Sequence, residues 1–466
     1  MPTSRKSGSK SKSRKIIQKE EIKFIRDPVH NLIRIEDRFI LDLIDTPEFQ
    51  RLRRITQLGL ASLVYPGSTH TRFSHSIGVY HLAKRVINHL STIEKKRKID
   101  DYIKKIVIST ALLHDIGHGP YSHLFERAMK NVLEKNYMDH EEWTKRIIRE
   151  SKKVRNILKR ESEKLPEDIC EVIDGTYISH FVNTIISSQL DVDRFDYLMR
   201  DSLMTGAKYG EFDIEWIIRT MALGVPKNKK NGGKIETVVI DGRRGLSALQ
   251  LHLIGRLYMY KHVYYHKTIR AAENMLGKIL ERMFILIRDK KLVLEHTFFK
   301  KILREEKLSV EDYIKIDDII LWALIEESIY KSNDKILKDL SRRLLNREIF
   351  KVIKIDPKWK FTEKMVKYEK LKDLVESEYG EEFVDYYLLC DDASNIAYKD
   401  YMYSLEKDEP SQEIYFFRKN RNDIHMISES SESVIIEGKK ALEFKEDRWY
   451  IPHEIKSEAN RIIGEK

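Results

Sequence analysis

The stretch Leu113-His114-Asp115-Ile116-Gly117-His118-Gly119-Pro120-Tyr121-Ser122-His123 constrains this chain more than any other. It ends an amphipathic run, Tyr102 to Asp115, which carries Ile106-Val107-Ile108 and reads as a helix packed on its apolar side. Gly117, Gly119 and Pro120 then stop the helix. An imidazole and a carboxylate thus arrive side by side at the end of a buried helix. Such groups are costly to bury without partners, and together they form a ligand pair that divalent metals of intermediate hardness accept. With His118 and His123, three imidazoles fall within ten residues, flanked by three helix breakers. That density favours a site over a set of satisfied core histidines.

The rest of the chain is patterned mainly as helix. Phe39 to Gly59 has apolar residues at helical spacing, broken at Asp45-Thr46-Pro47, with Thr46 as an N-cap and Pro47 at the first helical position. Further helical patterns cover Ser74–Leu90, Asp139–Leu158, Tyr177–Arg200, Ile214–Met221, Leu246–Arg288 and Asp317–Leu345. A Gly-rich turn between two β-prone runs predicts a hairpin near residues 222–241. After Arg347 the runs shorten to Phe350–Ile355, Ile414–Phe417, Ser433–Ile436 and Trp449–Ile451. The expected fold is therefore mainly α. A disordered basic tail covers residues 1–21, a helical lobe with a small β-hairpin residues 22–300, and a smaller α+β lobe residues 301–466.

Composition bears on function. Of 466 residues, 41% are apolar, enough for a buried core. No run of about 18 apolar residues occurs, so no membrane span is expected. Cys170 and Cys390 are the only cysteines, which suits a reducing compartment and a cytoplasmic protein. The net charge of +11 invites a nucleic-acid reading. The first fifteen residues carry six basic and no acidic side chains, so 11 − 6 = +5 remains for the folded part. That remainder suits a small polyanion, and nucleic-acid contact is confined to the tail.

A metal site at His114 and Asp115 needs ligands from elsewhere. His75 lies in Thr71-Arg72-Phe73-Ser74-His75-Ser76, at the start of a helix. Asp193 lies in Asp191-Val192-Asp193-Arg194-Phe195-Asp196-Tyr197-Leu198-Met199-Arg200-Asp201, a helical segment dense in carboxylates. Intrahelical ion pairs such as Asp196–Arg200, at i, i+4, are the other reading of that density.

The ordered series His75, His114-Asp115, Asp193 resembles the HD-domain metal phosphohydrolases. More narrowly it resembles the deoxynucleoside triphosphate triphosphohydrolases of the SAM-and-HD-domain type. The resemblance also runs through Arg26-Asp27-Pro28-Val29-His30, Asp45 to Arg54, Gln57-Leu58-Gly59, Tyr264-Tyr265-His266-Lys267 and Leu345 to Lys351, so it spans about residues 22–355. It implies a helical HD lobe and one divalent ion (Mn, Mg, Fe or Zn) on His75, His114, Asp115 and Asp193. It implies hydrolysis of a dNTP to a deoxynucleoside and inorganic triphosphate. His118, His123, Glu126 and His140 would act near the leaving oxygen, with Glu126 where relatives carry Asp. Arg72, Arg194 and Arg256 would hold phosphates, supported by Tyr197. Gln57, Leu58 and Tyr264 would crowd the sugar and exclude a ribose 2′-OH, Asp201 would accept from its 3′-OH, and Tyr260 would line the same substrate site where relatives have another polar residue.

The same resemblance implies a homo-dimer or homo-tetramer with a GTP or dGTP activator between subunits. Asp45, Gln50 and Arg53 match guanine-reading positions, and Lys23, Arg347 and Lys351 match phosphate-contacting ones. Trp216 stands where regulated relatives carry an Arg for a neighbouring deoxynucleotide. The alternatives are another HD phosphodiesterase or nuclease, or a nucleic-acid-binding module with a silent site.

Overall fold

Side-chain caps decide where several helices of this chain begin. Asp100 accepts from the Ile103 N–H at 2.8 Å, Ser151 from Val154 at 3.3 Å, Asp191 from Arg194 at 2.7 Å and Asp334 from Leu337 at 2.8 Å. Each satisfies a backbone donor that a helix start leaves open. Thr46 does the same for Phe49, with Pro47 in the first helical position, as its sequence predicts. Three of these caps correct the periodicity. Asp139–Leu158, Tyr177–Arg200 and Asp317–Leu345 each hold two helices, because Ser151, Asp191 and Asp334 start new ones.

The computed structural model describes residues 22–95, 99–133, 138–226, 235–294, 296–303, 307–396, 413–421, 423–429 and 443–464. The basic tail at 1–21, the turn of the expected hairpin and the run Ser433–Ile436 lie outside the described residues.

A hairpin of β1 (Lys23–Asp27) and β2 (Asn31–Ile35) leads into α1 (Arg38–Ile44), α2 (Pro47–Gln50), α3 (Arg72–Ile93) and α4 (Asp101–Leu113). Then come α5 (His123–Leu133), α6 (His140–Glu150), α7 (Lys152–Glu161), α8 (Leu165–Ile173), α9 (His180–Ile186), α10 (Val192–Thr205) and α11 (Ile214–Thr220). β3 (Met221–Gly224) and β4 (Thr237–Asp241) precede α12 (Gly242–Met259), a π-helical turn at Tyr260–Tyr264 and α13 (Lys267–Arg288). α14 (Thr297–Leu303), α15 (Val310–Tyr313), α16 (Asp318–Lys331) and α17 (Lys335–Leu345) follow. The chain continues through β5 (Lys351–Lys354), α18 (Phe361–Tyr379), α19 (Val384–Tyr387), β6 (Leu389–Ile396), β7 (Tyr415–Phe417), β8 (Ile424–Met426), β9 (Glu443–Ile451) and α20 (Lys456–Ile463).

The fold is mainly helical, with small sheets, as the pattern implies. β3 and β4 pair antiparallel, with Met221 opposite Ile240. β7 then adds to β4 in parallel and β8 to β7, while β9 lies between β5 and β6. The sequence does not announce the β4–β7 pairing, which joins runs more than 170 positions apart. One apolar core extends from Ile33 to Ile463, so the later residues pack on the earlier ones. At its centre α3 packs against α4 and α10, and α13 packs against α5 and α17. Among the described residues no helix is long and apolar enough to cross a membrane.

Candidate metal centre

Three helix ends converge on one point. His75 stands in the first turn of α3, His114 and Asp115 follow the last turn of α4, and Asp193 lies in the first turn of α10. His75 Nε2 is 2.9 Å from Asp193 Oδ1 and 3.7 Å from Asp115 Oδ2. His114 Nε2 is 3.4 Å from Asp115 Oδ1 and 3.6 Å from Asp193 Oδ1. The other ring nitrogens are tied elsewhere. His75 Nδ1 pairs with Asp196 Oδ2 at 2.8 Å, and His114 Nδ1 with the Ala111 carbonyl at 2.8 Å. This is how ligating histidines are held, with one nitrogen fixed by an oxygen and the other presented. His114 Nε2 is buried with no hydrogen-bond partner. Two imidazole nitrogens and two carboxylates facing one spot fit a divalent ion. His75, His114 and Asp193 are therefore brought together, with donor atoms within 4.8 Å of one another, and Asp115 lies beside them.

The electrostatics agree. Burial works against charge on His75, but its hydrogen bonds to Asp193 and Asp196 outweigh it and lift the imidazole to about 10. Burial pushes Asp193 up, yet the neighbouring His114 and His75 imidazoles hold it below the usual carboxylate range.

Behind His75 lies a second layer of charge. Asp196 accepts from Arg200 Nε at 2.8 Å and Nη2 at 2.9 Å, and pairs with His30 Nε2 at 2.6 Å. Arg200 Nη1 also donates to Asp27 at 2.8 Å. The intrahelical pair Asp196–Arg200 thus coexists with the metal-facing Asp193. Asp27, His30, Asp196 and Arg200 are support residues that the ligand pattern alone does not mark. The Arg26 to His30 segment was the available signal. Gly78 permits this layer, because a Cβ there would overlap the Asp196 carboxylate.

On the other side of Asp115 lies a histidine pair. His118 and His140 stack with ring centroids 4.0 Å apart, and His140 Nδ1 is 2.9 Å from Glu126 Oε1. His118 Nε2 is 3.2 Å from Asp115 Oδ1. Burial and the Arg72 charge hold His118 well below the ordinary imidazole range. Burial opposes charge on His140, but the Glu126 bond outweighs it and raises the imidazole. His118, Glu126 and His140 therefore meet as expected; His123 opens α5, and its side chain lies outside the described atoms. Gly117 makes the loop possible, since a Cβ there would strike the His140 carbonyl and Thr144. Arg72 is buried, with its guanidinium on Asp115 and donating to Ser122 Oγ at 3.1 and 2.8 Å.

α10 extends the site. Asp193 and Arg194, Tyr197 and Asp201 recur at three- to four-residue spacing and so share a face. The Arg194 guanidinium rests on Asp191. Asp201 is clamped, with Oδ1 2.7 Å from His70 Nε2 and Oδ2 accepting from the Tyr264 hydroxyl at 2.8 Å. Sequence reasoning missed His70. Leu58, Tyr197 and Tyr264 pack around Leu198, Met259 and Val263. Tyr260 and Tyr264 lie in the π-helical turn, their rings 4.9 Å apart, with Arg256 5.6 Å from the Tyr260 ring. Such turns concentrate at functional sites. Gln57 is tied by its backbone to His70, and its Oε1 is buried with no partner.

The expected activator residues lie elsewhere. Arg53 donates to Gln50 at 2.8 Å and stacks 3.5 Å from the centroid of Phe73, and Gln50 donates to the Ile44 carbonyl beside exposed Asp45. Arg347 donates to the Leu63 carbonyl at 2.9 Å. Lys23 and Lys351 are exposed on β1 and β5. Trp216 donates to the Arg244 carbonyl.

Helix ends that bring two imidazoles and a carboxylate together, with a carboxylate–histidine pair beside them, fit a divalent ion. The HD domain family model matches residues 72–201, from Arg72 to Asp201. The chain belongs to the HD-domain phosphohydrolase family. It is 36% identical over 429 residues to the uncharacterized protein YwfO of Bacillus subtilis, covering 91% of this chain and 92% of that one. A solved phosphohydrolase from Bacteroides thetaiotaomicron is similar with a TM-score of 0.74 and 28% identity, over 93% of this chain and 99% of that one. The human deoxynucleoside triphosphate triphosphohydrolase SAMHD1 is 26% identical over 86% of this chain and 66% of its own length.

Proposed function

We propose that this protein is a divalent-metal-dependent dNTP triphosphohydrolase that releases a deoxynucleoside and inorganic triphosphate. One observation carries the reading: the donor atoms of His75, His114, Asp115 and Asp193 meet beside Arg72 and the α10 face bearing Arg194, Tyr197 and Asp201. A bound ion there supplies charge neutralisation and polarisation of a phosphoryl oxygen. Arg72, Arg194 and Arg256 add fixed positive charge for the triphosphate, which needs no reorganisation during the reaction. Asp201, held by His70 and Tyr264, offers a fixed acceptor to the sugar 3′-OH. Leu58 and Tyr264 crowd the same place and disfavour a 2′-OH. His140, whose imidazole Glu126 raises against the effect of burial, is suited to give a proton to the leaving 5′ oxygen.

The likeness to SAMHD1 supports the substrate class, and the resemblance at Lys23, Asp45, Gln50, Arg53, Arg347 and Lys351 supports GTP or dGTP activation in a homo-dimer or homo-tetramer. We place the protein in the cytoplasm, in keeping with its free Cys170 and Cys390. The test incubates it with Mn²⁺ and each dNTP, with and without GTP and the other dNTPs, and separates products by chromatography. Inorganic triphosphate is the expected product. Its absence from every mixture overturns the reading.

A further inference from the structure

Tyr121 and Ser122 both have φ near +51°, two consecutive non-glycine residues in the left-handed region. Such a turn persists only where its surroundings impose it. The imposing group is on α16. Asp318 is buried, and its Oδ1 accepts from the Tyr121 N–H at 2.9 Å. Trp322, one turn further along α16, lies 6.3 Å from the Tyr121 ring. The turn in turn presents Ser122 Oγ to Arg72, whose guanidinium sits on Asp115.

The other oxygen of Asp318 reaches the same arginine by a second route. Asp318 Oδ2 accepts from the Thr56 N–H at 2.7 Å and from its hydroxyl at 2.6 Å. Thr56 bridges Thr71, and the Arg72 N–H donates to the Ile55 carbonyl at 2.9 Å. One carboxylate therefore governs both the backbone and the guanidinium of Arg72.

We propose that Asp318, outside the stretch matched by the HD model, is a positioning residue that fixes Arg72 and, through it, the Asp115 ligand. The inference rests on Asp115 being a metal ligand. A neutral amide cannot replace it, because its single carbonyl oxygen can serve either Thr56 or Tyr121, leaving the other facing an NH₂.

The test is Mn²⁺ affinity of the full chain, read by electron paramagnetic resonance without nucleotide, with thermal melting as a check of folding. No dNTP enters the measurement, so failure of the proposed substrate leaves it readable. Asp318→Asn is expected to weaken Mn²⁺ roughly tenfold, as loss of support behind a ligand does. Ser122→Ala is expected to weaken it by a similar factor. The double variant is expected to lose no more than the larger single, because both act through Arg72. Native affinity in Asp318→Asn overturns the proposal. So does a double variant whose loss is the product of the two singles, the result of independent structural damage. If Asp318→Asn does not fold, Asp318→Glu takes its place in the same cycle with the same outcomes.

Discussion

Replacing Asp196 by Asn should separate the support of the metal centre from its ligands. Asp196 touches no donor position itself, but it pairs with His75 Nδ1 at 2.8 Å, His30 Nε2 at 2.6 Å and Arg200 through Nε and Nη2 at 2.8 and 2.9 Å. An asparagine oxygen can keep one or two of these contacts, and its NH₂ then faces Arg200 or His30 as a second donor. Arg200 loses one of its two bonds to Asp196 and keeps those to Asp27 at 2.8 and 3.3 Å. Breaking a buried ion pair costs about 3–5 kcal/mol. The retained Asp27 places the expected loss near the lower end, about 3 kcal/mol, seen as a lower urea midpoint.

The metal effect is separable from that loss. Support behind a ligating histidine is worth about 10- to 100-fold in affinity, or about 1.4–2.8 kcal/mol. Calorimetric titration of Mn²⁺ into Asp196→Asn, well below its melting temperature, should find a loss in that range with one site still filled. Unchanged affinity together with reduced stability would refute the reasoning. It would mean that packing alone orients His75.

Gly78→Ala should destabilise the protein by about 1–3 kcal/mol, because the new methyl meets Asp196 and Arg200; a melting temperature equal to the native one contradicts the packing described. Tyr264→Phe removes the hydroxyl that Asp201 accepts at 2.8 Å. A hydrogen bond to a charged group is worth about 1.5–3 kcal/mol, so KM for a dNTP should rise roughly tenfold or more with kcat little changed. Steady-state assays should show that split.

Much of the site was legible because its ligands sit at marked helix ends. His114-Asp115 precede three helix breakers, His75 follows Thr71-Arg72, and Asp193 follows the cap Asp191. Local chemistry of this kind survives folding unchanged. Helix boundaries were less legible, because apolar residues at helical spacing lie on both sides of Ser151, Asp191 and Asp334, and short polar runs such as Ser332-Asn333-Asp334 also fit the solvent face of one longer helix. The β4–β7 pairing and the roles of His70 and Asp318 were illegible for another reason. Each depends on contacts across 130 positions or more, and nothing in Asp317-Asp318 by itself distinguishes a cap from an anchor.

Charge around the centre accounts for the ion it should hold. Asp27, Asp115, Asp193 and Asp196 lie in one connected network with Arg72 and Arg200. Four carboxylates against two guanidiniums leave two negative charges when the imidazoles are neutral, the balance that one divalent cation completes. Without the ion, protons take its place. Burial opposes them, yet Asp193 and Asp196 lift His75 to about 10, and Asp115 and Asp193 raise His114. His75 therefore keeps its proton as pH rises through neutrality and releases it only near that value. Metal arriving at pH 7–8 must therefore expel at least one proton, and apparent affinity should increase with pH up to about 10. Titrating Mn²⁺ in buffers of different ionisation enthalpy should show a release of one proton or more per ion. Zero release would mean that His75 is already neutral and that its carboxylate partners do not hold a proton in the metal's place.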